Sequence, residues 1–204
     1  MMQLETTLAF PTHIYSVEKP EFIKQVKLVA MDALGNKPIE NDIYPVRMSD
    51  PLQDDQRLFE FAKFTAITAG NVLTDQGYAT ANMGAYFESM WCQEHHKHSG
   101  MDQHTHPGVL MVGFYFLDVP KDSSVLTFFD PRPGKIATGP AEKDLSDMTY
   151  ASAGFHFVPR PGLLLFTNSW LPHALTRHAG TEPLRFIHFN IGLADHVQAD
   201  VEII

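Results

Sequence analysis

The sequence predicts an α+β fold that is mainly β: one strand and two helices, followed by a body of short strands. Three observations lead there. Apolar residues recur at helical spacing in two early stretches. After Gly84 the texture changes to short apolar or alternating runs. Clusters of Pro and Gly separate those runs, as at Asp130-Pro131-Arg132-Pro133-Gly134 and Pro159-Arg160-Pro161-Gly162. Many short strands with such punctuation point to a sandwich or a barrel.

The elements follow in order. Thr6–Val17 alternates and carries Phe10, Ile14 and Tyr15, a first strand with Pro11 at a bend or edge. Pro20–Leu34 reads as a helix: Pro20 suits its first turn, Phe22, Ile23, Val26 and Ala30 share a face, and Gly35 supplies a stop. A second helix is expected from about Asp54 to Leu73, with Leu58, Phe61 and Ala62 inward. Asn36–Pro51 joins the two without a clear period. Strand-sized runs then appear at Ala85–Cys92, Leu110–Leu117, Val125–Phe129, Leu163–Phe166, His173–Arg177 and Leu184–Ile191. Gly134–Ser152 is polar and long for a structureless loop, so it is a lid over a site or a mobile segment.

Composition narrows the function. The 204 residues, 44% of them hydrophobic, suffice for one sizeable core and suit one domain, with the strand and helices in 1–80 and the β-body in 84–204. Lys and Arg number 15 against 24 Asp and Glu, a formal net charge of −9, which argues against nucleic acid and anionic membranes as partners. No apolar run reaches membrane-spanning length, and the N-terminus lacks the basic start and apolar centre of a signal peptide. A lone Cys92 fits a reducing compartment, so the expected location is the cytoplasm. Exposed edge strands make a homodimer the expected assembly. No Gly-x-Ser-x-Gly elbow, phosphate-binding Gly-rich lysine loop or dinucleotide fingerprint occurs.

Eleven histidines stand out, five of them between His95 and His106. In His104-Thr105-His106, residues two apart on an extended chain point to one side, so both imidazoles can reach one metal. Spacing alone is weak, because about 0.6 such pairs are expected by chance and His96-Lys97-His98 is another. His173 adds weight, since an apolar strand turns at Pro172 and presents it. Arg185 shares its strand face with Ile187, Phe189 and Ile191. A guanidinium there needs an anion, supplied by a protein carboxylate or by a bound ligand. Cys92, His95, His96 and His98 form either a second metal site or, more simply, a polar loop at the mouth of the first. Arg132 either binds substrate at the rim or pairs with Asp130 in a rigid turn; Trp91, Trp170, His156 and His188 read as packing or structural residues.

Two early histidines, one about 70 residues later and an arginine 12 residues after that have a family behind them. The chain resembles the non-haem iron, 2-oxoglutarate-dependent oxygenases built on the double-stranded β-helix, or jelly roll, and most closely those of marine bacteria and phages. The resemblance is carried by Leu8-Ala9-Phe10-Pro11-Thr12, Trp91, His104-Thr-His106-Pro107, Gly113-Phe114-Tyr115-Phe116-Leu117, Phe129-Asp130-Pro131-Arg132, Gly162-Leu-Leu-Leu-Phe, Ser169-Trp170-Leu171-Pro172-His173, Arg185 and Phe189-Asn190. It implies a jelly roll with the two helices packed on it, Fe(II) held by His104, His106 and His173, and 2-oxoglutarate bound by Arg185 and Tyr115. Two departures are visible: His106 stands where these oxygenases usually carry a carboxylate, and Val112 where related sequences carry Ser. Asp102 is the alternative third ligand.

The expected activity is hydroxylation of a C–H bond in a small molecule or peptide by dioxygen, with release of succinate and CO2. Two other functions compete. A cupin-type enzyme would bind its substrate directly at a three-histidine metal, although no Glu follows His106 within ten residues, as the usual cupin spacing requires. A jelly-roll binding module without catalysis would hold no stoichiometric metal.

Overall fold

The computed structural model describes residues 5–39 and 43–195. The extreme N-terminus, read above for a signal peptide, and part of the Asn36–Pro51 connection lie outside them.

Strand β1, Ile14–Glu18, leads into α1, Ile23–Leu34, through a short 3-10 turn at Pro20–Phe22. Val26, Val29, Ala30 and Leu34 recur at helical spacing and form the buried stripe of α1. Gly35, at φ 45°, stops the helix, its N–H bonded to the Met31 carbonyl. Strand β2, Val46–Met48, precedes α2, Phe59–Asp75, whose entry is a 3-10 turn capped by the Asp55 carboxylate on the Arg57 N–H. Phe61, Thr65, Ala69 and Val72 face inward from α2.

The β-body comprises β3 (Met83–His95), β4 (Met101–His104), β5 (Met111–Asp118), β6 (Leu126–Phe129), β7 (Gly154–Phe157), β8 (Leu163–Asn168), β9 (His173–Leu175) and β10 (Leu184–Asp195). The strands pair antiparallel in two sheets, in the orders β1-β8-β5-β10-β3-β2 and β4-β9-β6-β7. Alternation along each strand of the larger sheet divides the core in two. On one face Met90, Cys92, Tyr115, Leu117, Leu164, Phe166, Ile187 and Phe189 pack under α1 and α2. On the other, Val112, Phe114, Phe116, Leu163, Leu165, Leu184 and Phe186 meet Leu126, Phe128, Leu171 and Leu175, which come from the smaller sheet and the turn entering it. The second cluster is the inside of the jelly roll; the first is its helical cover.

The expected helices and six strand runs are all present. β2, β4 and β7 were not anticipated, because they are short and their composition lacks a run of apolar residues. Pro133–Thr138, inside the stretch read as lid or mobile loop, is a short helix, α3. No helix among the described residues is long and apolar enough to cross a membrane.

Candidate metal centre

The smaller sheet brings the histidines together. β4 and β9 are neighbours, and His104 is the direct cross-strand partner of His173. β6 lies on the far side of β9, where Phe128 pairs with His173. Past the end of β4 the chain is pinned by the His106 N–H bonded to the Ser169 carbonyl, which aims the second imidazole back at the first. Ring centroids lie 4.5 Å apart for His104 and His173, 5.0 Å for His104 and His106, and 5.2 Å for His106 and His173. One nitrogen from each ring falls within 4.8 Å of the other two.

Backbone carbonyls set the tautomers. The Nδ1–H of His104 donates to the Asp102 carbonyl at 2.7 Å, and that of His173 to the Leu171 carbonyl at 3.0 Å. A carbonyl only accepts, so the proton sits on Nδ1 and Nε2 keeps its lone pair for a metal. The Nε2 atoms of His106 and His173 are buried without a partner, a cost that a bound cation removes. Burial, then the neighbouring imidazoles, holds both side chains below the usual histidine range, His173 at about 4 despite the opposing pull of the Leu171 carbonyl. His106 and His173 are therefore neutral at pH 7. The donor set fits Fe(II) and related first-row ions, which accept imidazole nitrogen.

Asp102 is not part of this cluster. Its exposed carboxylate accepts from the Tyr44 hydroxyl, and only its backbone carbonyl serves the site, through His104. The three-histidine assignment is the one the geometry supports.

The two residues assigned to the co-substrate stand elsewhere. Tyr115 lies on the helical face of β5, stacks near Phe61 at 4.9 Å and donates its hydroxyl to the Lys19 carbonyl. Its neighbours Phe114 and Phe116, of opposite parity, line the inside. Arg185 likewise shares the helical face of β10 with Ile187 and Phe189. Its Nε donates to Glu94 at 2.6 Å and a terminal nitrogen to Asp118 at 2.9 Å. Glu94 also accepts from Arg47, and Asp118 from Lys27 on α1. Of the two kinds of anion considered for Arg185, protein carboxylates satisfy its guanidinium. Burial would raise the Glu94 carboxyl, but hydrogen bonds from Arg47 and Arg185 outweigh it and hold the group at about 2.

The other candidates resolve simply. Cys92 packs under the helices, its thiol pushed up to about 12 by burial. His95 bonds Ser99 and Gln93, and His96 bonds Glu94, so no second metal cluster forms there; Gln93–His95 continue β3 rather than forming a loop. Arg132 forms the Asp130 pair of a rigid turn, joined by Lys135.

One residue that the sequence reading left as structural belongs beside the site. His188, on the inner face of β10, is 5.0 Å from His106 by ring centroid, stacks on Phe114 at 4.4 Å and meets Trp91 edge-on at 4.7 Å. Its Nδ1–H donates to the Gly113 carbonyl, and its buried Nε2 has no partner, nor has Trp91 Nε1. The parity of β10 was the available signal: His188 alternates with Arg185 and falls on the opposite face.

The comparisons with known proteins bear on this centre. A structure of the epimerase SnoN from nogalamycin biosynthesis, a non-haem α-ketoglutarate-dependent enzyme, matches with a TM-score of 0.61 at 12% identity, over 90% of this chain and 81% of that one. A Pseudomonas putida prolyl-4-hydroxylase matches at 0.57 and 12%, over 89% and 93%. HygX from Streptomyces hygroscopicus, crystallised with nickel and 2-oxoglutarate, matches at 0.54 and 13%, over 89% and 83%. These likenesses establish the jelly-roll fold. No curated protein matches by sequence. The family model described as "Putative 2OG-Fe(II) oxygenase" matches residues 89–190, half of the chain, a span containing all three histidines of the cluster. The chain belongs to that 2OG-Fe(II) oxygenase family.

Proposed function

We propose that the protein is an Fe(II)-dependent oxygenase that couples oxidative decarboxylation of a 2-oxo acid to hydroxylation of a C–H bond in a small organic or peptide substrate. In its family the 2-oxo acid is 2-oxoglutarate, released as succinate and CO2. The observation that carries the proposal is the histidine face: three imidazoles from one side, two of them with lone pairs fixed by backbone carbonyls. Such a face leaves the opposite side of a metal open for ligands. Bound iron would supply chelation of the 2-oxo acid and activation of dioxygen, the chemistry that side chains lack.

The protein's own contribution is positioning and exclusion of water. His104, His106 and His173 would hold the metal, the Asp102 and Leu171 carbonyls orient two of them, and Phe114 and Phe128 wall the site. With no carboxylate among the ligands, the metal keeps its full +2 charge against an incoming anion. That favours the 1-carboxylate and 2-oxo group of a 2-oxo acid, which need only the metal.

The test uses tag-free protein under anaerobic conditions, given Fe(II) and then a 2-oxo acid. A weak visible charge-transfer band saturating at one equivalent is the expected result. Iron bound without a band for any 2-oxo acid would transfer the proposal to a cupin-type enzyme, and absence of metal binding would leave a binding module.

A further inference from the structure

We propose that this site takes a 2-oxo acid with an uncharged, apolar tail in preference to 2-oxoglutarate. The inference rests on the oxygenase assignment above and narrows it to a co-substrate class. 2-Oxoglutarate carries a second carboxylate at its far end. Taken out of water, that group needs a cation or several N–H donors, and an unpaired buried carboxylate costs several kcal/mol.

The inside of this jelly roll provides neither. All 15 lysines and arginines fall among the described residues, and none lies on the inner face. Arg185, Arg47 and Lys27 sit on the helical side, already shared between Glu94 and Asp118. Asp130, two residues past the His173 partner Phe128, carries Arg132 and Lys135 as its own pairs. The remaining basic side chains pair at the surface or stand exposed.

What surrounds the histidines is aromatic. Phe114 lies 5.5 Å from His173 and Phe128 6.2 Å, with Phe116 and Phe186 behind Phe114 at 6.4 and 5.8 Å. The inner face of β10 reads Leu184, Phe186, His188, Asn190, and the Asn190 amide nitrogen donates to Ser89. The polar side chains beside the triad offer acceptors: the Gly113 carbonyl takes the Nδ1 proton of His188, which leaves its buried Nε2 a lone pair, and the buried amide oxygen of Asn190, beside His106, only accepts. A lone pair repels a carboxylate. Trp91 Nε1–H, in ring contact with His188, is a buried donor without a partner, and one neutral N–H does not offset the burial of a full charge. Phe114 and Phe128 are the residues that would set the preference, by giving a branched or aromatic tail the contact that a carboxylate cannot use.

The test is calorimetric titration of the wild-type chain loaded with Ni(II), which does not turn over. The ligands are 2-oxoglutarate, pyruvate and 4-methyl-2-oxopentanoate, with the Fe(II) charge-transfer band as an independent readout. The expected result is 4-methyl-2-oxopentanoate binding about tenfold or more tightly than 2-oxoglutarate, with pyruvate between. Equal or tighter binding of 2-oxoglutarate overturns the inference and leaves the oxygenase assignment standing. Metal uptake without binding of any of the three overturns both.

Discussion

Replacing Arg185 by Met separates a structural guanidinium from a ligand anchor. The change removes two charged hydrogen bonds, at 2.6 Å to Glu94 and 2.9 Å to Asp118, and keeps much of the apolar stem. Breaking a buried ion pair costs about 3–5 kcal/mol when it strands a charge. Here neither carboxylate is stranded: Glu94, only 1% exposed, keeps Arg47 at 2.6 Å, and Asp118 keeps Lys27. The expected loss is therefore about 2–3 kcal/mol, below the range for a lone pair. For a chain of this length that lowers Tm by about 5–10 °C. Urea unfolding should show an earlier midpoint with an unchanged slope. Calorimetry on the folded, metal-loaded variant should show unchanged affinity for metal and 2-oxo acid. A tenfold loss of 2-oxo acid affinity with an unmoved urea midpoint would refute the reasoning, because it would place Arg185 in the site.

Three further outcomes are expected. His173→Ala should abolish stoichiometric metal binding, since two imidazoles make a weak site; full iron content by elemental analysis would disprove the ligand assignment. Gly113→Ala should destabilise by more than about 3 kcal/mol, because a Cβ there would meet the Phe189 ring at 2.1 Å and the Leu165 carbonyl at 2.6 Å, and an unmoved Tm would contradict that packing. Acid should act in two windows. Burial, with the charges of His178 and His96, holds His95 down at about 3, so its contribution is present above pH 6.5 and declines as pH falls toward 3. Glu94, held at about 2, contributes above about pH 4.5 and is lost as pH falls toward 2. Urea midpoints measured against pH should show His95→Gln reducing the slope in the upper window, which His106 and His173 share, and Arg185→Met reducing it in the lower.

Local order was legible where a periodic apolar stripe or a Pro–Gly break decides it. α1 and α2 are of this kind, as are β5 and β8, whose runs are buried on both faces. β4 was not, because Met-Asp-Gln-His is polar and becomes a strand only through pairing with β9. The grouping of His104, His106 and His173 was legible because the motif resemblance named the partners that spacing left open. The placement of Tyr115 and Arg185 was not. Tyr115 and Arg185 were assigned by their place in a motif, and a motif does not tell which face of a strand a residue occupies; a shift of one residue reverses it.

That reversal separates the chemistry of this site from the stability of its frame. Along β10, odd-numbered residues serve the helical side: Arg185 closes a charge network and Ile187, Phe189 and Ile191 fill the core beneath α1 and α2. Even-numbered residues serve the inside: Leu184 and Phe186 make an apolar wall, and His188 lies 5.0 Å from His106 with its Nε2 unpartnered. Substitutions on the first set should move Tm and spare ligand binding. Those on the second, once they fold, should move ligand choice. A cation placed on the odd face cannot recruit a carboxylate to the inside, whatever its distance in sequence from the metal ligands. The selectivity of the centre therefore has to be sought in Phe114, Phe128, His188 and Trp91, the side chains in ring contact with the triad or with each other beside it.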